Sequence, residues 1–273
     1  MVQLITGQLE RKIIRMTNHN IITLVKNKNP LIHHLTNQVV MNFTANGLLA
    51  FGGSPVMAKE PLEMEEMTGI ADGLLINIGM LTESDLTSML IAGIVANKRD
   101  IPVVLDPVGV AATDFRSKAV KKLLNEIQFT AIKGNAGEMA FLIDVPWQTK
   151  GVESIDNHTS ELVTIADKIA KRFKTIAVIT GETDVLSDGK QIKENKSGHI
   201  YLTKITGAGC VLGSLITASL ASSNEPFKSI AETVHFYGKA AEYAINNSAV
   251  NGTGTFIPHF VDALSKNNLR ETE

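Results

Sequence analysis

The chain holds a single cysteine, Cys210, in 273 residues, which excludes an internal disulfide and any cysteine-rich zinc site. An excess of charge of one sign is also absent. The net charge is −2 and no basic tract occurs, so there is no electrostatic footprint for a polyanion partner. No apolar stretch reaches the roughly 18 residues of a membrane span, because Gly, Ser and Pro interrupt the best candidates. The first residues carry Arg11, Lys12 and Arg15 in mixed sequence, unlike a secretory signal. Two nucleotide signatures are missing as well. No G-x-x-x-x-G-K-[ST] occurs, which excludes a P-loop. Gly207-x-Gly209 lacks a third glycine at the right spacing and follows a late hairpin, so a dinucleotide-binding turn is disfavoured. What remains is an ordinary globular composition, 44% apolar and 20% charged, with enough length for one large α/β domain or two smaller ones. The expected location is the cytoplasm.

The periodicity predicts a helix around Ile21 to Val25, ended by Pro30, then a short strand over Leu31–Leu35. Asn37 is the expected cap of the next helix, with Val40, Phe43, Gly47, Leu48 and Phe51 on one face. Apolar runs at Gly73–Ile78, Val103–Leu105, Thr130–Ile132 and Ile176–Ile179 predict buried parallel strands. Leu86, Met89, Leu90 and Ile94 mark one intervening helix face, and Leu162, Ile165, Ala166, Ile169, Ala170 and Phe173 another. Alternation of this kind builds βαβ units and a sheet covered on both sides. Val185-Leu186 and Ile200–Leu202, with Asp188-Gly189 between, predict an antiparallel hairpin. No linker or repeat interrupts the pattern, so a single α/β domain over 1–273 is expected.

The chemistry gathers where the strands end. They lead into Asn77-Ile78-Gly79, Asp106-Pro107-Val108-Gly109, Lys133-Gly134-Asn135-Ala136-Gly137-Glu138 and Thr180-Gly181-Glu182. In open α/β sheets ligands bind beyond the carboxyl ends of strands. Thr206-Gly207-Ala208-Gly209-Cys210 then runs into a helix whose apolar face is Leu212, Leu215, Ile216 and Leu220. The first turn of such a helix offers unpaired N–H groups and the positive dipole end, a ready anion site. Each part also has a plainer role. Asp106 before proline fits a turn organiser, Glu138 a dipole-favoured carboxylate, Lys133 a solvated cation, Thr180 a strand-end cap and Cys210 a small apolar filler. Taken together on one rim, the set supplies carboxylates for Mg²⁺, a cation for phosphates and an anion hole, the parts of phosphoryl transfer. His33-His34 suggests a metal pair, yet neighbours on a strand point to opposite faces.

Several blocks resemble the hydroxyethylthiazole kinases. They are Thr36-Asn37, Asn42 to Ala50, Gly53 to Ala58, Leu105 to Gly109, Lys133 to Glu138, Ile179 to Glu182, Ile205 to Cys210 and Gly252-Thr253-Gly254-Thr255-Phe256. The match runs from about Pro30 to Phe260 in the family's order. The resemblance implies a ribokinase-like fold, a central mostly parallel sheet with helices on both faces. It implies transfer of the γ-phosphate of ATP, with Mg²⁺, to the primary alcohol of the thiazole precursor of thiamine. Related sugar and vitamin kinases have Asp where this sequence has Cys210, which favours the thiazole kinase. By the same resemblance, Cys210 and the backbone of Gly207, Ala208 and Gly209 are catalytic, while Met57, Gly207 and Asn37 contact the thiazole. Lys133 and Thr180 contact ATP, and Asp106 and Glu138 lie near the metal. A homotrimer with active sites at subunit interfaces is implied too. Two features depart from the pattern: Lys133 stands where the family usually has Arg, and residues 1–15 precede the family's usual start, with Met16 as a second candidate initiator. The competing readings are a hydroxymethylpyrimidine or pyridoxal kinase, and a nucleotide- or thiazole-binding protein without catalysis.

Overall fold

In the computed structural model, residues 20–147 and 155–269 are described; the N-terminal extension and Met16 lie outside them. Helix α1 (Ile21–Lys28) begins where the Asn20 side chain accepts from Ile22 N, and it ends at Asn29 in the left-handed conformation, φ 46°. Pro30 then starts an extended segment, β1 (Leu31–Leu35). The elements that follow are α2 (Met41–Phe51), β2 (Ser54–Val56), α3 (Met64–Ile70), β3 (Gly73–Asn77), α4 (Glu83–Lys98), β4 (Val103–Asp106), α5 (Asp114–Glu126), β5 (Ala131–Asn135) and α6 (Ala136–Leu142). The chain closes with α7 (Ile155–Phe173), β6 (Ile176–Thr180), β7 (Asp184–Ser187), β8 (Ile192–Asn195), α8 (Ala208–Ser222), α9 (Pro226–Ile245) and α10 (Thr253–Leu264).

The strands form one eight-stranded sheet in the order β2-β1-β3-β4-β5-β6-β7-β8. Pairing is parallel from β2 to β6 and antiparallel at β6–β7 and β7–β8. The parallel strands are buried on both sides, which is why they read as unbroken apolar runs. Their side chains still alternate. Leu75, Val104 and Ala131 enter the core beneath α1, α2, α8, α9 and α10. Leu74, Ile76, Val103, Leu105 and Ile132 enter the opposite core beneath α4 to α7. Phe51, Phe256, Phe260 and Phe129 are among the largest fully buried side chains, each worth about 1.5–3 kcal/mol over exposure.

The structure differs from the sequence pattern in three places. The second arm of the hairpin is Ile192–Asn195, with Asp188 and Gly189 in the turn, whereas Ile200–Lys204 is a 3₁₀ helix. The β8 residues Ile192 to Glu194 are exposed on an edge strand, so no alternation announces them. The apolar Tyr201 instead packs on Phe256, ring centroids 5.6 Å apart. Helix α2 starts after Val40 as N-cap with no side-chain cap, and Asn37 turns inward. On α4 the buried face is Ser88, Met89, Ala92, Gly93 and Ala96, while Ile94 is 36% exposed. Small residues face inward there because Ile127 lies against the helix, leaving no room for a Cβ at Gly93.

Candidate active site at the strand ends

Period-two alternation assembles the site. Leu75, Val104 and Ala131 face α8, so Asn77, Asp106 and Lys133, each two residues on, face the same way. Asn77 and Asp106 are paired residues of β3 and β4, and Lys133 lies one step beyond the Leu105–Ile132 pair. Helix α8 crosses β1, β3 and β4, which lowers its first turn onto these three side chains. Gly207 caps it at φ 93° with no side chain to occupy the free N–H groups. Only glycine adopts that conformation readily, and a Cβ at this point would also meet Val40 Cγ1 at 2.9 Å.

The contacts form one connected cluster. Asn77 Nδ2 donates to Asp106 Oδ2 at 2.8 Å and to Cys210 Sγ at 3.2 Å. Asn77 Oδ1 accepts from Gly79 N at 2.9 Å and Asn37 Nδ2 at 3.2 Å, which fixes the amide's orientation. Asn37 Nδ2 also reaches Cys210 Sγ at 4.0 Å. Lys133 Nζ donates to Asp106 Oδ2 at 3.2 Å and to Gly209 O at 3.0 Å. A Cβ at Gly209 would stand 3.0 Å from that ammonium, so the glycine admits the lysine. The Lys133 side chain is 5% exposed and that of Asp106 1%. The surface-lysine role is thereby excluded. Asp106 Oδ1 is buried without a hydrogen-bond partner.

Burial raises the Asp106 carboxyl above its ordinary pKa, against the attraction of Lys133. Burial alone would lower Lys133, but the net shift is upward, with Asp106 the largest opposing cause, so the ammonium stays charged. The Cys210 thiol is pushed up by burial and by Asp106, despite Lys133 and the amides of Asn77 and Asn37. A helix N-terminus favours a thiolate, and here desolvation beside a carboxylate prevails instead. Cys210 therefore rests as a thiol at neutral pH.

The remaining predicted residues sit around this cluster. Glu138 is the third residue of α6 in a capping box with Asn135. Its Oε2 accepts from Asn135 N and its Oε1 from Gly109 N, each at 2.9 Å, so it ties the β5 and β4 loops together. Thr180 ends β6 and donates to Gly134 O at 3.3 Å. Met57 follows β2, half-buried, at the sheet's edge. His33 and His34 point to opposite faces. His33 meets Thr68 Oγ1 and Ala58 O, while His34 meets Ser214 Oγ and Val56 O. Among the described residues no group of three His, Cys, Asp or Glu is placed to hold a metal. A carboxylate at the end of β4 and another in the first turn of α6 still match Mg²⁺, which keeps most of its waters and takes one or two protein carboxylates. The orphaned Asp106 Oδ1 is a free ligand atom of the right kind.

Sequence reasoning put Asn77 on the rim without giving it a role, and it missed two further contributors. Arg116 donates to Ile78 O at 2.6 Å, Gly79 O at 2.8 Å and Val108 O at 2.9 Å, fastening two rim loops. Tyr237 of α9 donates to Ala208 O at 2.6 Å; neither residue has a local signature.

This sheet order, with a glycine-capped helix lowered onto charged strand ends, is a ribokinase-like α/β fold. A ribokinase-like superfamily protein from Enterococcus faecalis shares the fold, with a TM-score of 0.60 and 12% identity over 86% of this chain and 87% of its own. The sequence model of the hydroxyethylthiazole kinase family matches residues 22–269, and the chain belongs to that family. It is 51% identical to hydroxyethylthiazole kinase 1 of Oceanobacillus iheyensis over 254 residues, 93% of this chain and 98% of the relative. The structure of a hydroxyethylthiazole kinase protein from Pyrococcus horikoshii superposes with a TM-score of 0.81 at 36% identity, covering 90% of this chain and 91% of that one. The chain is a kinase.

Proposed function

We propose that the chain transfers the γ-phosphoryl group of ATP, with Mg²⁺, to the primary hydroxyl of 4-methyl-5-(2-hydroxyethyl)thiazole, giving the phosphate used for thiamine phosphate synthesis. The observation that carries this reading is the placement of Cys210 on the first turn of α8, hydrogen-bonded to Asn77 above the Asp106–Lys133 pair. That arrangement joins an anion hole to a group able to face an alcohol. In this reading the N–H groups of Gly207 to Cys210 receive the moving phosphoryl, and Gly207, Asn37 and Met57 contact the thiazole. Lys133 lends positive charge beneath the phosphates, and Thr180 contacts the nucleotide. Asp106 and Glu138 would hold Mg²⁺, which would supply charge neutralisation for the phosphates. The acceptor oxygen bonds to the γ-phosphorus as the bond to the β,γ-bridging oxygen breaks. Positioning and charge stabilisation supply most of the rate. Cys210, a thiol at rest, orients the hydroxyl, whose proton leaves on the transferred phosphoryl group. A homotrimer with Met57 near a subunit boundary and a cytoplasmic location complete the proposal.

The test is Mg-ATP turnover against hydroxyethylthiazole, hydroxymethylpyrimidine and pyridoxal. A strong preference for the thiazole supports the reading. Preference for another alcohol keeps the rim chemistry and removes the substrate. Binding of ATP with no turnover of any alcohol leaves a nucleotide-binding protein.

A further inference from the structure

The segment Gly252 to Phe256 has no role in the chemistry above, yet it begins a chain of rings that ends at the anion-binding turn. Phe256 stacks on Phe260, centroids 5.4 Å apart at 9°. Phe260 meets Tyr237 edge-on at 5.0 Å and 85°. Tyr237, itself 5% exposed, donates its hydroxyl to Ala208 O at 2.6 Å. The carbonyl it grips belongs to the Ala208–Gly209 peptide. In a helix, C=O and N–H of one peptide point in opposite directions along the axis, so the other end of this unit is the Gly209 N–H of the first turn. The next peptide is gripped in the same way, since Lys133 Nζ donates to Gly209 O at 3.0 Å, behind the Cys210 N–H. A carbonyl has two lone pairs, so each can hold this donor as well as its helical partner. Hydrogen bonds in series polarise one another, so a donor on the carbonyl makes the N–H at the far end stronger.

We propose that Tyr237 is a positioning residue: backed by Phe260 and Phe256, it orients and polarises the Ala208–Gly209 peptide so that the Gly209 N–H meets the phosphoryl group in flight. The inference rests on the proposed anion hole. Burial pushes the phenol well above its ordinary pKa, so it remains a donor through the working pH range.

Tyr237→Phe in the full chain keeps the ring contacts and removes the hydroxyl alone. We expect kcat to fall about 10-fold with KM for ATP and for the alcohol within about twofold, the mark of an interaction made in the transition state. The Gly209 amide proton resonance moves upfield, and ADP with aluminium fluoride binds about 5- to 10-fold more weakly while ADP alone is unchanged. Phe260→Leu, which keeps the hydroxyl, lowers the melting temperature more than Tyr237→Phe yet retains more of kcat. An unmoved Gly209 amide, an unchanged kcat, or the reverse order of these variants overturns the inference. If the wild type fails to phosphorylate the thiazole alcohol, the functional reading falls instead. The amide shift and the ADP–aluminium fluoride comparison then decide the role of Tyr237 without any alcohol.

Discussion

Two buried polar networks lie along α8, and they are built on opposite terms. At its first turn, Asn77, Asp106, Lys133 and Cys210 bring charge out of water and leave Asp106 Oδ1 without a partner. Further along, the network is neutral and closed. Ser214 meets His34 at 2.7 Å, Thr217 donates to Gly213 O, Ser219 donates to Leu215 O, and Thr233 Oγ1 lies 2.6 Å from Ser219 Oγ. Burial of polar groups is therefore no sign of a site by itself, since short hydroxyls in helices find carbonyls one turn back. What separates the first network is charge brought out of water with one carboxylate oxygen left unpartnered, which a fold retains at a cost in stability.

The largest effect should come from Lys133→Met, which leaves Asp106 buried opposite no cation. Loss of about 3–5 kcal/mol in urea unfolding is expected, together with a fall in kcat of at least about 100-fold. A variant as stable as the wild type would mean that Asp106 is already neutral in the folded state, and the contrast between the two networks would collapse.

The neutral network has a pH limit. His34 is pushed from 6.5 down to about 4 by burial, with its bond to Val56 O opposing. Its Nδ1 hydrogen bond to Val56 O leaves Nε2 to accept from Ser214, a pattern that needs the neutral ring. The unfolded chain takes up a proton below its ordinary pKa of 6.5 while the folded one resists until about 4. Stability is thus fully present above pH 6.5 and lost as pH falls toward 4, by about 3 kcal/mol in all. Urea midpoints across this range should show that loss, and His34→Gln should flatten it. An equal slope in the variant would move the acid sensitivity to other groups.

Cys210→Ala should lower kcat by about 10- to 100-fold, or about 1.4–2.7 kcal/mol, and leave measurable turnover. Cys210→Asp, which puts a stronger hydrogen-bond acceptor at the same point, should keep or raise it. With the thiol pKa raised, the wild-type rate should not climb with alkaline pH in a way that Cys210→Ala removes. Such a climb would make the Cys210 thiolate a general base. The smallest effect is expected from Thr233→Val, about 1 kcal/mol of stability with kcat unchanged. A large loss of activity there would tie the neutral network to catalysis.

Much of this was legible in the order of residues. The strands at 73, 103, 131 and 176 announce themselves because a sheet covered on both faces demands unbroken apolar runs. The glycine-capped start of α8 is visible because left-handed backbone selects glycine. The exposed edge strand Ile192–Asn195 carries no such pattern, and Ile200 to Leu202 misleads because Tyr201 packs on Phe256 of α10 while Ile200 stays exposed. Asn37 looks like a cap by type, but Asn77 and Cys210 claim its side chain.

By itself, then, the sequence determined the α/β layering, the glycine turn and the family, since each depends on local residue type and period. Only tertiary structure decided that Lys133 pairs with Asp106, that Cys210 stays a thiol, and that Tyr237 reaches back to Ala208. Those outcomes depend on which strands become neighbours and how far water is excluded between them, and neither is a property of any stretch of chain on its own.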